Sequence, residues 1–441
     1  MPTGVKAARG KRYRPLKKVA RLAVISSLAL CLPMACTRPE SDRNRIVYAF
    51  WGSVQQQKAE EEIIGAFEEA HPEIHVETLP VGSRFVDKIQ AMLVGGVAPD
   101  VMMVTNDFYY DWAVRGALAD LTNEMQTLRE EGEVMPTALR ATAWNQRVYA
   151  LPVNAHGWVT YVNQTALRKA GIAIPESGLT WDFILSVAPQ LASREGHPDA
   201  PTEFAMFAPD AVTIFWQCGA RLFDDLAHPT KVTINSPEAL KALELVRTLH
   251  ANPLVVPAEV SKDEGTYQLF KDGRVAFFFN GRWISPELIG RTDFEWDILP
   301  YPGMEGSNLT VHDFTGLAVW SKSPRQEAAR KFVQFYASRA GAALAMGHMR
   351  NVPVFREDAY GKDFLSLRPP SSMRHYSATM EEGASLNFVY TPGVARVKRL
   401  FQNRMQQALA EPDLPSELII QGLEADLRRW LKEMKEAGIL N

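Results

Sequence analysis

The sequence contains few cysteines, which limits how the protein can be stabilised. Three occur among 441 residues: Cys31, Cys36 and Cys218. We expect the first two to belong to an N-terminal export segment, and the single thiol that remains cannot form an internal disulfide. Stability must therefore come from buried apolar cores. The 406 residues from Cys36 onward exceed what one core usually supports, so we expect two lobes.

The N-terminal apolar stretch is too short to span a bilayer. Residues 22–34 form a run of 13 residues, whereas a membrane-spanning helix needs about 20. Eight Lys or Arg and no Asp or Glu precede it within 21 residues. This order predicts a secretory signal peptide over residues 1–35. Removing its eight positive charges would take the formal net charge from −3 to −11, which argues against a nucleic-acid partner.

The end of this stretch, Ala35-Cys36, resembles the bacterial lipobox, in which the cysteine thiol receives a lipid and becomes the new N-terminus. We therefore predict lipidation of Cys36, a polar tether over residues 36–45, and attachment of an exported protein to the membrane through the lipid. Pro33 stands where the lipobox usually has Leu. The alternative is an ordinary signal peptide that is cut elsewhere, with Cys36 unmodified.

Sequence motifs that would indicate catalysis are absent. The chain has no G-x-S-x-G elbow, no H-E-x-x-H and no phosphate-binding G-x-x-x-x-G-K. Its nine histidines show no metal-ligand spacing, and it lacks the eight evenly spaced strand–helix units of a catalytic barrel. Paired carboxylates could still serve a glycoside hydrolase. We expect a protein that is not an enzyme and that uses neither a metal nor a cofactor.

The hydrophobic pattern predicts an α/β fold. Strands are predicted at residues 46–51, 74–79 and 101–104, with helices between them at 58–69 and 85–93. This alternation favours a mostly parallel sheet. After Asn145 the pattern restarts, and it ends in about 45 helical residues.

Several segments resemble, in order, family 1 extracellular solute-binding proteins, the maltose-binding-like sugar receptors of ABC importers. They include FEEAHPEIHVE, VAPDVMMV, LPVNAHGWVTYVN, FKDGRVAFFFNGRWI and DFTGLAVWSKSP. The resemblance implies a two-lobed periplasmic-binding-protein-like α/β fold with a ligand cleft between the lobes. Lobe 1 would comprise residues 46–150 and 310–355, and lobe 2 residues 155–305 and 360–441 with a helical C-terminal tail. It also implies permease subunits as partners, and we expect a monomer.

Candidate ligand-binding residues combine aromatic rings, which stack on the C–H faces of sugars, with polar groups that bind hydroxyls. Ligands of open α/β sheets lie at the carboxyl ends of strands. Trp283 is a prominent candidate, because FFF predicts a buried strand, Asn-Gly a turn, and the indole then emerges at the strand end. The complete set is Trp51, Ser53, Asn106, Asp107, His156, Trp216, Trp283, His312, Asp313, Arg350 and Tyr390.

Structural roles remain open for most of these residues. Trp51 and Trp216 could belong to the core, and Asp107 could cap a helix. His156 could be a hinge residue without a ligand, Asp313 a cap or hinge residue, and Arg350 a partner in a salt bridge. The expected function is delivery of a sugar or oligosaccharide to an ABC importer. The alternatives are a sensory or structural lipoprotein on the same fold, or a binder of another polar solute such as a polyol phosphate.

Overall fold

The computed structural model describes residues 44–440, except 53, 83, 177, 193–199, 291, 305–306, 348–351, 382 and 384. The predicted signal peptide, Cys36 and all but the last two residues of the predicted tether lie outside the described residues. None of the helices in this part of the chain is both long and apolar enough to cross a membrane.

The first of two main sheets has six strands. They are β1 (Arg45–Trp51), β2 (His75–Val81), β3 (Val101–Thr105), β6 (Leu151–Gly157), β11 (Thr310–Val319) and β12 (Ser385–Leu386). The strands β1, β2 and β3 are parallel, as the alternating pattern predicts. However, β11 runs antiparallel to both β3 and β6. Because β12 also runs parallel to β11, three of the five pairings in this sheet are parallel, and the predicted mostly parallel sheet is present apart from the two antiparallel pairings of β11.

The second sheet has four strands, in the order β10-β7-β9-β8. They are β7 (Val159–Asn163), β8 (Phe204–Met206), β9 (Val275–Asn280) and β10 (Trp296–Leu299), and only β8 and β9 are parallel. A small hairpin joins β4 (Ala143–Trp144) to β5 (Arg147–Val148). We call the parts of the molecule built around the first and second sheets the first and second lobes.

The helices flank these sheets. Their bounds are Val54–Ala70, Phe85–Gly95, Tyr109–Val114, Thr122–Glu131, Pro136–Thr142, Gln164–Lys169, Trp181–Leu191, Ala211–Gln217, Pro237–Ala251, Ala258–Glu264, Thr266–Lys271, Ser285–Leu288, Gln326–Ala337, Arg339–Gly347, Arg356–Ala359, Lys362–Leu365, Arg374–Ala378, Val394–Ala410 and Ser416–Glu436, with a 3₁₀ turn at Arg282–Ile284.

Amphipathic patterning places each long helix on a core. In Pro237–Ala251 the residues Leu243, Val246 and Leu249 are fully buried, as expected for apolar residues on one helical face. The side chain of Ser236 accepts a hydrogen bond from the backbone N–H of Ala239, which stabilises the helix start. The helices Val394–Ala410 and Ser416–Glu436 pack on each other and on this helix. The predicted helical C-terminal region is thus present.

The chain crosses directly between the lobes after β6. That strand pairs with β11 in the first sheet, and only Trp158 separates it from β7 in the second. Gly157 is needed at this crossing, because a Cβ atom there would lie 2.4 Å from Cγ2 of Thr310. The second crossing, residues 300–309, leads from β10 into β11. These two crossings place His156, Trp158, His312 and Asp313 at the junction of the lobes.

A candidate ligand-binding cleft between the lobes

Residues from both lobes line one cavity of about 490 Å³, which we call the inner cavity. The first lobe contributes Trp51 from the end of β1, Thr105 from the end of β3 and Asp313 from β11, and the second lobe contributes Trp283, which follows β9. Ligand pockets commonly measure about 300–1,000 Å³ and combine aromatic walls with a few polar groups. The inner cavity has this size and character.

The two tryptophans are held by their surroundings. The ring of Trp51 stacks on that of Phe85, with centroids 4.1 Å apart and planes inclined by 24°. The ring of Trp283 lies over Gly281, where a Cβ atom would approach the indole to 2.1 Å, so only glycine fits. Nε1 of Trp283 donates a hydrogen bond of 2.8 Å to the hydroxyl of Tyr267. Each side chain therefore presents a fixed aromatic surface at the cavity.

Asp313 supplies a carboxylate to the same cavity. Its Oδ2 accepts a hydrogen bond from Nε1 of Trp158. Burial raises the pKa of Asp313 to about 6, while the hydrogen bond and the charge of Lys398 oppose this rise. The ring of Trp158 meets that of Trp283 nearly edge to face, at 6.4 Å and 76°. The indole of Trp158, in the first crossing, therefore contacts both the carboxylate of Asp313 in the first lobe and the ring of Trp283 in the second lobe.

A group of charged side chains lies near Asp313. Nζ of Lys398 is 3.1 Å from Oδ1 of Asp107, and this lysine also interacts electrostatically with Asp210 and Asp313. Burial raises the pKa of Asp210 to about 6 as well, so Asp210 and Asp313 are both ionised at neutral pH, beside one ammonium group. Asp107 does not cap the following helix, since Phe108 is the residue at its start.

The two histidines at the junction are fully buried and uncharged at neutral pH. Burial lowers the pKa of His156 to about 4 and that of His312 to about 3. Nδ1 of His156 lies 3.1 Å from the carbonyl oxygen of Gly157. Within the described part of the chain, Nε2 of His156 and both ring nitrogens of His312 have no hydrogen-bond partner. Asn106 donates through Nδ2 to the backbone oxygen of His312 at 2.8 Å.

The structure brings three of the candidate residues together at the inner cavity, namely Trp51, Trp283 and Asp313. Six further candidates lie in the described ranges but do not line this cavity: Asn106, Asp107, His156, Trp216, His312 and Tyr390. Of these, Trp216 is 2% exposed and packs on Phe388, and Tyr390 is 5% exposed. Ser53 and Arg350 lie outside the described residues. Ligand contact by any of the candidates remains a prediction.

Sequence reasoning missed Trp158, Asp210 and Lys398. Trp158 could have been found, because it lies two residues after His156 in LPVNAHGWVTYVN, a segment that already resembles the receptor family. Lys398 carried no such signal, since it is one of several basic residues on a long helix. Across residues 44–440, outside the gaps given above, no group of three or more His, Cys, Asp or Glu side chains is arranged to hold a metal ion.

The family model of bacterial extracellular solute-binding proteins matches residues 62–366. The chain belongs to this family. This match confirms the predicted family, and the protein that contains this cleft is therefore a solute-binding protein.

Relatives of this solute-binding protein share limited sequence identity with it. The xylose/arabinose-binding protein XacG of Haloferax volcanii is 21% identical over 366 residues, which cover 78% of this chain and 74% of XacG. An uncharacterized lipoprotein of Streptomyces antibioticus is 26% identical over 302 residues, 66% of each chain.

A similar solved structure is that of the ABC substrate-binding protein Lmo0181 from Listeria monocytogenes in complex with cycloalternan. It superposes with a TM-score of 0.77 at 21% identity, over 88% of this chain and 99% of that one. The likeness confirms the two-lobed periplasmic-binding-protein-like α/β fold.

Proposed function

We propose that this solute-binding protein is the carbohydrate receptor of an ABC importer. The observation that carries the proposal is the inner cavity, where Trp51 of the first lobe, Trp283 of the second and the carboxylate of Asp313 face one space. Indole rings offer apolar faces for the C–H surfaces of a sugar ring, and a carboxylate accepts hydrogen bonds from its hydroxyls. XacG is named for xylose and arabinose, and Lmo0181 was solved with cycloalternan.

Binding of the solute would involve no covalent chemistry. The solute would enter between the lobes, for which the divisions 46–150 with 310–355 and 155–305 with 360–441 remain a prediction, except that β12 (Ser385–Leu386) pairs with β11 in the first sheet. Closure about the crossings would complete its contacts, as hinge bending does in periplasmic binding proteins. The closed form would dock as a monomer on two permease subunits, and a separate protein would hydrolyse ATP.

Export and anchoring form the second part of the proposal. A signal peptide over residues 1–35 and a lipid on Cys36 would hold the receptor at the outer side of the membrane, close to its permease. A lipid chain contributes roughly 0.8 kcal/mol of membrane affinity per buried CH₂ group. The relative from Streptomyces antibioticus is named as a lipoprotein. Incorporation of labelled palmitate into the wild-type chain but not into Cys36→Ser would support this part.

A thermal-shift screen tests the binding function. The purified protein would be heated with monosaccharides, oligosaccharides, polyols and glycerol phosphodiesters. A ligand present at 100 times its Kd should stabilise the folded state by about 2.7 kcal/mol. We expect a sugar to stabilise the wild type clearly more than Trp283→Ala. A response to a phosphodiester alone, or to no solute while the protein is folded, would contradict the proposal and favour a different solute or a sensory role.

A further inference from the structure

A second and larger space, of about 1,040 Å³, opens on the second lobe beside the inner cavity. We call it the outer groove. Trp283 lines both spaces. Trp158, which donates a hydrogen bond to Asp313 of the inner cavity, lines the outer groove as well. The two spaces are therefore neighbours that share one aromatic wall.

The fold explains where the outer groove lies. Phe207 follows the carboxyl end of β8, and Asn280 is the last residue of the parallel strand β9. Ligands of α/β sheets lie at this end of the strands. The groove extends from there to Asn252, after the helix Pro237–Ala251, and to Leu409, near the end of Val394–Ala410.

The groove wall carries exposed apolar side chains. Tyr267 is 39% exposed and Leu409 is 36% exposed, and both line the groove. They are two of the few large apolar residues with this exposure among those described. The hydrogen bond from Trp283 to Tyr267 fixes the two rings relative to each other. A pair of fixed rings along one groove is suited to successive sugar units.

The polar groups of the groove suit a neutral ligand. The guanidinium of Arg247 is occupied within the protein, since it donates to the hydroxyl of Ser416 at 3.0 Å and to the carbonyl oxygen of Leu414 at 2.8 Å. Glu259 and Lys262 contribute opposite charges. Nε2 of His250 is buried at the groove and has no hydrogen-bond partner in the part of the chain that the structure describes. Burial lowers the pKa of this histidine, so it is neutral.

We propose that the ligand is an oligosaccharide, which begins in the inner cavity and continues past Trp283 into the outer groove. This inference rests on the proposed carbohydrate function and narrows it. A single sugar unit would contact only the inner cavity. A longer chain would also cover Tyr267 and Leu409 and would reach His250 with a hydroxyl. Affinity therefore rises with chain length, and the added affinity depends on the groove residues.

Isothermal titration with two oligosaccharide series tests this inference. The full chain would be titrated with glucose and maltooligosaccharides, and with xylose and xylooligosaccharides, from one to five units. For the series that binds, we expect Kd to fall at least tenfold between one and three or more units. A Kd that is independent of length, or that is lowest for the monosaccharide, would overturn the inference while leaving the carbohydrate function intact. Binding of no carbohydrate in the thermal-shift screen would overturn both.

Variants distinguish the loss of a ligand contact in the outer groove from a general destabilisation of the fold. Leu409→Ser should weaken binding of the longer chains about fivefold and leave monosaccharide binding unchanged, and Tyr267→Phe, which keeps the ring, should retain most of the length dependence. Leu418→Ser is the matched control, because Leu418 is 52% exposed on the neighbouring helix Ser416–Glu436 and does not line the groove. Equal losses for short and long ligands, or equal effects of Leu409→Ser and Leu418→Ser, would overturn the inference.

Discussion

The ammonium group of Lys398 lies 3.1 Å from Oδ1 and 3.2 Å from Oδ2 of Asp107. This ion pair joins the helix Val394–Ala410 to the segment that follows β3 of the first sheet. Close by, the backbone N–H of Gly393 donates to Oδ1 of Asp111 at 2.9 Å. These two contacts connect the first lobe to the C-terminal helices. The positive charge of Lys398, which forms the first contact, also lowers the pKa of Asp313.

Replacing Lys398 should change the pKa values of the carboxyl groups at the cleft, but it should have little effect on the free energy of unfolding. Its side chain is 37% exposed and that of Asp107 is 49% exposed, and such pairs contribute about 0–1 kcal/mol. Lys398 lowers the pKa of both Asp313 and Asp210. In Lys398→Met, the pH below which sugar affinity declines should therefore move upward, as measured by titration calorimetry between pH 5 and 8.

The control for this variant is Lys331→Met. Lys331 is 41% exposed and pairs with Glu327 on its own helix at 3.2 Å. Both variants should show a small change in unfolding free energy, but only Lys398→Met should shift the pH profile of binding. Identical profiles for the two variants would show that Lys398 does not act on the cleft.

Asp313→Asn should have opposite effects on stability and on binding. The wild-type carboxyl has a pKa of about 6 in the folded state, above its ordinary value of 3.8, chiefly because of burial. Between these values the folded state holds more protons than the unfolded state, so this group makes stability fall as pH rises from about 4 to 6. The asparagine side chain does not ionise, so the variant lacks this fall in stability. The variant should unfold at a higher temperature than the wild type at pH 7, with the difference vanishing below about pH 4.

The stability of the variant must be compared with that of the wild type at each pH, because His156 and His312 change stability with pH in the opposite direction to Asp313. Their lowered pKa values make stability fall as pH drops below 6.5. Sugar affinity of Asp313→Asn should be reduced at pH 7, since a charged acceptor forms stronger hydrogen bonds, and its dependence on pH should be weaker than in wild type. A variant that is less stable at pH 7, or that binds as tightly, would contradict the role assigned to this carboxylate.

Trp283 and Trp216 should respond differently to truncation. Trp283 lines the inner cavity, and aromatic residues at the centre of binding sites typically cost about 2 kcal/mol or more when truncated. Trp283→Ala should thus weaken sugar binding by about 30-fold. Trp216 is 2% exposed in the core, and Trp216→Ala should reduce the unfolding free energy by about 3–5 kcal/mol. Calorimetry measures the sugar affinity of both variants, and chemical denaturation measures their unfolding free energy. A Trp283→Ala protein that is destabilised but binds sugar as tightly as the wild type would show that Trp283 belongs to the core and not to the binding site.

Arg282 should be replaceable by an apolar residue. It is fully buried, and its Nε and Nη2 find no hydrogen-bond partner among the described residues. Its guanidinium lies over the rings of Phe364 and Tyr376, at 4.9 and 5.4 Å. Cation–π contacts contribute about 1–2 kcal/mol, whereas desolvation of a buried charge costs several kcal/mol. Desolvation therefore outweighs the ring contacts and disfavours the charge, and burial accordingly lowers the pKa of this group to about 10.

Arg282→Met should therefore leave the unfolding free energy unchanged or raise it. Arg247→Met is the matched comparison, because that guanidinium donates to the backbone oxygen of Ala408 at 3.2 Å and to the hydroxyl of Ser416 at 3.0 Å. Its removal leaves buried acceptors without donors and should be destabilising. Denaturation of both variants provides the measurement. A large loss of stability in Arg282→Met would mean that the two ring contacts outweigh desolvation.

The sequence predicted local structure well where one pattern dominated. The apolar runs that became β1, β3 and β9 were recognisable because both faces of these strands are buried. Trp283 could be placed at a strand end for the same reason. The antiparallel entry of β11 could not be foreseen, since strand direction depends on how distant segments meet rather than on local periodicity.

The charged part of the cleft was equally inaccessible to sequence reasoning. Lys398 and Asp107 are separated by 291 positions, and nothing in either local sequence marks them as partners. The outer groove is formed by Tyr267, His250 and Leu409, which lie on three separate helices. Each of these residues resembles an ordinary surface or core residue until the fold brings them together.

The most direct test of carbohydrate binding between the lobes is a crystal structure of the protein grown with the sugar that gives the largest thermal shift. We predict one ligand per chain, with a sugar ring against Trp283, a hydroxyl within hydrogen-bond distance of Asp313, and protein contacts from both lobes. A ligand bound elsewhere, or one that touches neither Trp283 nor Asp313, would contradict the proposed site.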